Sequence, residues 1–519
     1  MFSVGRFFVI VRSTSKFVSG PALVICLAGA KLIFHLITAG RYGIFRDELY
    51  YLACGEHLDW GYVDQPPLIA FVAWIARHLF GDWLVGLRFF PALAGAATVW
   101  LTGKLVREFG GAAFAQVLAA LAVICVPIYL LLHHWLTMNA FEPLIWTGCA
   151  WCVVRAIHRN EPRYWIWFGV LAGIGMETKY TIAFFVFALV IALLLTGQRR
   201  LLVTKEFWFA AVIAFAIFLP NLIWLVRHNF PFLELMHNVR QTHRDVVRGP
   251  IGFVLDQAQI MNPILFPLWL GGLIWWFFSR DGGRFRVLGL LYITLLATFI
   301  VLRGKNYYLS PIYPVLFAAG AIAIERITTQ RFRWGGIAYG LVMVGSIIIL
   351  APTVSPILSP EGAIAYQQKL GLEPPKAENQ QTGPLPQYFA DEFGWREMAE
   401  ETARVYKSLP VEEQARTAIF ANNYGEAGAI DFFGPQLGLP KSICNHQSYW
   451  LWGPRNYDGS IVIVLGSDGT GDREHFRSVE AVGQVEHPYS RRDEDFDIFL
   501  CRGFTGDLQQ AWTKLKKYN

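Results

Sequence analysis

Charge is scarce in this chain. Only 16% of its residues are Asp, Glu, Lys or Arg, while 54% are hydrophobic and 15% aromatic. An ordinary soluble domain carries about 25% charged residues, so this composition excludes a chain that is water-soluble throughout. Cysteine is also sparse, with seven in 519 residues, which excludes a disulfide-built scaffold. Five of them (Cys26, Cys54, Cys125, Cys149 and Cys152) lie in or near apolar runs. Cys444 and Cys501 fall in a polar C-terminal region, where they can pair if that region is exported. No basic stripe is present. The net charge of +6 is spread over short loops, so nucleic acid is not an expected partner. No clear internal repeat is visible, and no small-residue cleavage site follows the first apolar run. That run, preceded by Arg6, Arg12 and Lys16, reads as a retained helix.

What the chain has in abundance is apolar runs of about 20 residues, each long enough to cross a ~30 Å hydrocarbon layer. They predict a polytopic α-helical membrane protein with about 11 transmembrane helices, near 18–39, 84–105, 112–131, 138–157, 164–177, 180–196, 207–226, 262–279, 285–302, 307–325 and 334–352. Alternate loops carry two or three basic residues each, among them Lys104 and Arg107, Arg155 and Arg159, Arg199 and Arg200, Arg284 and Arg286, and Arg331 and Arg333. By the positive-inside rule the N-terminus is cytoplasmic, and an odd number of spans puts the C-terminal region outside. After about residue 356 the composition turns polar. Glu392–Leu409 reads as an amphipathic helix, and Thr417–Asn422 and Ile461–Leu465 as strands. The expected organisation is a membrane domain over 1–355 and an extracytoplasmic α/β domain over 356–519.

Two outer loops are long. The first, about 40–83, holds the side-by-side acids Asp47 and Glu48, a third acid, Asp64, before a Pro-Pro pair, and an apolar stretch, Pro67–Phe80, too short to span and expected to lie at the interface. The second, about 227–261, carries Arg227, His237, Arg240, His243, Arg244 and Arg248. It reads equally as a phosphate site or as a solvated, headgroup-facing loop. Spans five and six are short and meet at Gly173-Ile-Gly-Met-Glu-Thr-Lys-Tyr-Thr181, so Glu177 and Lys179 are expected to line a recess open to the outside. An ordinary interfacial turn is the alternative.

Three outer segments can carry chemistry. Asp47 shares a helix face with Tyr51 at i, i+4, and a carboxylate shielded by aromatics can act as a general base; an acid at a helix start can equally serve the macrodipole. Arg303, Lys305, Tyr307 and Tyr308 offer cations and hydroxyls suited to a phosphate; an interfacial belt of aromatic and snorkelling basic residues has the same composition. Glu142 lies one turn into span four, where an acid needs a partner or a cavity. With His133 and His134 it can be read as a site for a divalent metal ion, although the spacing is not diagnostic.

Arg46-Asp-Glu-Leu-Tyr-Tyr, Gly61-Tyr-Val-Asp-Gln-Pro-Pro-Leu, Met138-Asn-Ala-Phe-Glu-Pro-Leu, Thr178-Lys-Tyr-Thr and Lys305-Asn-Tyr-Tyr-Leu together resemble the protein mannosyltransferase and aminoarabinose transferase-like group of the C-type glycosyltransferase superfamily. The resemblance covers the chain to about residue 350. It implies inverting transfer of a sugar from a polyprenyl-phosphate donor to a lipid, protein or glycan acceptor at the outer face of the inner membrane, with the bilayer as a further partner. In that reading Asp47 is the catalytic base, and Glu48, Asp64, Glu142, Lys179, Arg303, Lys305, Tyr307 and Tyr308 bind substrate. Gln65 stands where the aminoarabinose transferases typically have Lys, and the segment around Glu142 departs from the Asp-containing form common in the wider group; the first departure puts a phosphate contact from that loop and a lipid A acceptor in question. A transporter or flippase, or a non-catalytic glycolipid-binding subunit, remains open at this level.

Overall fold

The computed structural model describes residues 19–242, 248–331, 333–372 and 383–519. Arg6, Arg12, Lys16, His243 and Arg244 lie outside the described residues, as do the side chains of Arg331 and Arg333.

Among the described residues, seven helices are long and apolar enough to cross a membrane: Gly20–Thr38, Phe89–Glu108, Met138–His158, Lys205–Arg227, Gly282–Val301, Asn306–Thr328 and Trp334–Val354. Counting two bent pairs as spans raises this to nine, short of the eleven expected. Two expected spans fall outside this count, Arg163–Thr178 because it has only 16 residues and 112–131 because it is interrupted. Val126 is extended before Pro127, which ends Ala113–Ile124 and starts the short helix Pro127–Leu132. Asn262 takes φ 71° and its side chain donates to the Cys125 carbonyl and the Ser346 hydroxyl. The chain there bends by 97° between Pro250–Ile260 and Pro263–Phe278. Ile182–Leu194 is followed by a 120° bend into Gly197–Val203.

The bundle is closely packed where glycine permits it. A Cβ on Gly320 would sit 1.9 Å from the Leu268 carbonyl oxygen, and one on Gly272 would sit 2.6 Å from that of Leu316. The glycines of the predicted turn serve the same end. Arg163–Thr178 continues through Gly173 and Gly175 to Thr178, and a Cβ on Gly173 would meet Ile217 at 2.8 Å. The actual turn is Lys179–Thr181, with Lys179 extended. Periodic glycine marked helix packing here, not a loop.

The stretch after Pro67 forms the helix Leu68–Phe80, with Ala70, Ala73 and Ala76 buried and Phe71, Trp74 and Leu79 exposed. The C-terminal region forms a small five-stranded sheet from β1 (Thr417–Ala421), β2 (Ile443–Cys444), β3 (Ile461–Leu465), β4 (Phe476–Val485) and β5 (Phe496–Phe504). Its order is β2-β1-β3-β5-β4. β1 pairs in parallel with both β2 and β3, with Ile419 opposite Ile463, and β5 runs antiparallel to β3 and β4. Cys444 and Cys501 are both free and buried. They lie on β2 and β5, with β1 and β3 between them, about 14 Å apart at the usual strand spacing, so the pairing entertained above does not form.

One feature of the core cuts across the expected boundary near residue 355. Leu49, Tyr50, Tyr51 and Leu52 of the first outer loop share a single buried cluster with Trp395, Met398, Ile419, Ile430 and Ile463. The outer loop is therefore built into the sheet region as well as the bundle.

Candidate active site

Helix Arg46–Glu56 presents the acidic pair at its first turn. The two acids go opposite ways. Glu48 is buried and accepts from the Arg88 guanidinium at 2.7 and 2.9 Å, from the Leu136 N–H at 2.7 Å and from the Phe45 N–H at 2.8 Å. Arg88, also buried, reaches on to Glu392 at 3.2 Å and to the Ala39 and Gly43 carbonyls. Glu48 thus ties the outer loops and residue 392 together. Asp47 accepts a hydrogen bond from the Tyr424 hydroxyl at 2.9 Å, a residue of the C-terminal region.

Asp64 accepts from the Tyr50 hydroxyl at 2.8 Å. That phenol also contacts the Ser448 hydroxyl at 2.8 Å and accepts from the Ser448 N–H at 3.2 Å. Tyr51, one turn beyond Asp47, is buried. Burial pushes its phenol up, and the charges of Asp47 and Asp64 add to the shift.

At the turn over 179–181 the Lys179 ammonium donates to Asn139 at 2.6 Å and to Glu142 at 3.1 Å, and lies 5.2 and 4.5 Å from the ring centres of Tyr307 and Tyr308. Thr181 donates to the other Glu142 oxygen. Glu142, Lys179, Tyr307 and Tyr308, far apart in sequence, are therefore one cluster. Glu177 is buried, and neither carboxylate oxygen has a hydrogen-bond partner among the described residues. Lys305 caps the short helix Asn306–Ile312 that carries the two tyrosines. Arg303 takes φ 52° in an exposed turn and joins none of these contacts.

Gln65 is fully buried, with its amide 3.7 Å from the Cys54 sulfur. His133 is hydrogen-bonded to the Tyr129 carbonyl, and His134 accepts from Arg88 at 3.0 Å. With Glu142 committed to Lys179 and Thr181, the three do not converge on a metal, and no group of three His, Cys, Asp or Glu that could hold one occurs among the described residues. In the second outer loop, Arg227, His237 and Arg240 are exposed and Arg248 pairs with Asp256 at 3.2 Å.

Two cavities flank helix Arg46–Glu56. One of about 310 Å³ lies between Gly43, Ile44 and Asp82 on one side and Phe393, Trp395 and Phe433 on the other. The other, about 180 Å³, is lined by Arg46, Asn423, His446, Arg491 and Lys517 and adjoins the Asp47–Tyr424 contact. Sequence reading missed Tyr424, Ser448 and Arg88. For Tyr424 a signal existed: Asn423 and Glu426 form a capping box, with Asn423 accepting from the Gly425 and Glu426 N–H groups, which fixes a helix start at Tyr424.

A bundle with bent helices carries a small C-terminal sheet domain, and residues of both regions meet at Asp47. Residues 64–224 match the family model described as dolichyl-phosphate-mannose-protein mannosyltransferase. The chain is 24% identical over 338 residues to the lipid A galacturonosyltransferase RgtD of Rhizobium johnstonii, covering 63% of this chain and 70% of that one. Its fold is similar to that of ArnT from Cupriavidus metallidurans, both bound to undecaprenyl phosphate and in the apo state. Each superposition has a TM-score of 0.60 at 14% identity and covers 92% of this chain and 97% of ArnT.

Proposed function

We propose that the protein is an inner-membrane glycosyltransferase that moves a sugar from a polyprenyl phosphate to an acceptor at the outer face, with inversion. The observation that carries this reading is the pair of clusters that the fold builds: Asp47 and Asp64, held by the hydroxyls of Tyr424 and Tyr50, and Lys179, paired with Glu142 beside the rings of Tyr307 and Tyr308. The likeness to ArnT bound to undecaprenyl phosphate and to a lipid A galacturonosyltransferase supports a polyprenyl-phosphate donor and favours a lipid acceptor.

In this mechanism Asp47 takes the proton of the acceptor hydroxyl as its oxygen forms a bond to the anomeric carbon. The bond from that carbon to the phosphate oxygen breaks on the opposite face, and its electron pair leaves on the phosphate. Lys179 offsets the charge developing there, with Tyr307, Tyr308 and Lys305 beside it. A phosphate is a good leaving group, so placement and charge provide most of the rate. Glu142 and Asn139 orient Lys179, Asp64 stands beside the sugar, and Glu48 acts through Arg88 to fix the loop. Arg303 is assigned to the lipid headgroup region.

The assigned organisation is a membrane domain over 1–355 and a soluble domain over 356–519 on the periplasmic or exterior side, with the N-terminus in the cytoplasm. Mass spectrometry of envelope lipids and glycans tests the function. A deletion strain is expected to accumulate one polyprenyl-phosphate sugar and to lose one modification, both reversed by the wild-type gene. A lipid and glycan profile unchanged by the deletion, under conditions in which the parent strain expresses the gene, would sink the proposal.

A further inference from the structure

The C-terminal region holds two acids of the loop over 40–83, Asp47 directly and Asp64 through Tyr50. The Tyr424 hydroxyl donates to Asp47 at 2.9 Å. Ser448 contacts the Tyr50 phenol, which in turn donates to Asp64, and the Ser448 hydroxyl accepts from the Val63 N–H at 3.1 Å beside it. The aromatic side of Tyr424 is fixed as well. The Arg46 guanidinium lies 4.8 Å above its ring, and the Tyr50 ring is 4.9 Å away.

The backbone around Tyr424 is shaped for this approach. Tyr424 opens the helix Tyr424–Leu437, which is capped by Asn423 and Glu426. A Cβ on Gly425 would meet Arg46 at 2.7 Å, and one on Gly428 would meet Leu49 at 2.8 Å. The two helices therefore touch where Tyr424–Leu437 presents glycine to the Arg46 and Leu49 side chains. Such contact places the Tyr424 hydroxyl with little freedom, as a supporting shell must be for a reacting carboxylate.

We infer that Tyr424 is a positioning residue for Asp47, and that the C-terminal domain is thereby an obligatory part of the catalytic unit. This inference rests on the assignment of Asp47 as base. The hydroxyl does two things. It selects one carboxylate rotamer for the approach of the acceptor. It also stabilises the ionised form, since a donated hydrogen bond to a carboxylate lowers its pKa. Other charged or titratable groups around the pair are Arg46 and Tyr51 on the same helix, Asp64 in the loop, His446 beside the Tyr424 ring at 5.1 Å, and Arg491, Asp493 and Lys517 lining the adjoining cavity. Tyr424→Phe removes the hydroxyl and keeps the ring that Arg46 and Tyr50 pack against.

The test uses the full-length protein in detergent, with the polyprenyl-phosphate-sugar fraction that accumulates in the deletion strain as donor and that strain's own envelope lipids as acceptor. Tyr424→Phe is expected to lower kcat about 10- to 100-fold, less than the ~10²–10⁴-fold of a whole general-base contribution, to leave the donor KM unchanged, and to move the acid limb of the kcat–pH profile upward. Replacing Tyr424 with 3-fluorotyrosine, a stronger donor, is expected to move that limb downward, and this second variant keeps the test open if Tyr424→Phe is unstable. An acid limb that stays fixed in both variants, with kcat near wild type, overturns the inference. Asp47→Asn is measured alongside. An active Asp47→Asn protein defeats the base assignment itself, whereas an inactive one with a normal Tyr424→Phe protein defeats only the role of Tyr424.

Discussion

The Lys179 ammonium stands 3.1 Å from the Glu142 carboxylate, and the two residues, one in a turn and one at a helix start, are 37 positions apart. The lysine is mostly buried, at 13% side-chain exposure, and the acid more so, at 6%. A buried pair of this kind is costly to break because the survivor is left charged and alone. Here the pair also leaves the ammonium between two tyrosine rings, where a phosphate can share it.

Lys179→Met is therefore expected to reduce kcat/KM by roughly 30-fold or more, the scale of losing one partner of a buried charge pair. The loss should fall mainly on the donor KM. Steady-state kinetics at varied donor concentration checks this, and an unchanged donor KM would remove Lys179 from the phosphate site.

Glu392 predicts a pH effect on stability. Burial pushes its carboxyl up to about 8, partly offset by Arg88. A carboxyl whose folded pKa lies above its unfolded value binds more protons folded than unfolded. Its contribution is fully present below the unfolded pKa, near 4.5, and is lost as pH rises toward about 8. Glu392→Gln keeps an acceptor for the Trp135 indole N–H and removes the titration. Thermal unfolding from pH 5 to 8 should then fall less steeply for the variant than for wild type. Parallel slopes would contradict the assignment.

Gly43 marks the seam between the first outer loop and residue 392. A Cβ there would sit 1.9 Å from the Glu392 carbonyl oxygen, whereas one on Gly29 would meet nothing within 4 Å. Gly43→Ala should lower both Tm and activity, and Gly29→Ala should change neither appreciably. Equal behaviour of the two proteins in a thermal scan would argue against the close docking.

Cys444 and Cys501 are separated by two strands. Alkylation of the denatured, unreduced protein should label both thiols, and reductant should leave Tm unchanged. A peptide containing both cysteines linked together would refute the strand order.

The sequence disclosed the elements with one dominant pattern. Ile461–Leu465 is the strand expected, because five consecutive apolar residues bounded by Gly466 leave few alternatives. Glu392–Leu409 yields Trp395–Ser408 on the strength of its amphipathic period. β4 was not legible: it is an edge strand, half-buried to exposed, with no alternating pattern. Length and apolarity of the helices do not reproduce the expected span count, because Ala113–Ile124 stops before Val126 and Arg163–Thr178 has only 16 residues. At the site, Glu142, Lys179, Tyr307 and Tyr308 were each visible as polar residues at helix ends, but their convergence is tertiary. Tyr424 lies 377 positions from Asp47, and no local pattern connects them.

The central claim is that Asp47 carries the transfer. The most direct measurement compares polyprenyl-phosphate sugars and envelope glycolipids by mass spectrometry in the deletion strain complemented with wild type or with Asp47→Asn, with membrane insertion of both proteins verified. The account predicts that wild type restores the modification while Asp47→Asn leaves the donor accumulated. Full restoration by Asp47→Asn would contradict it.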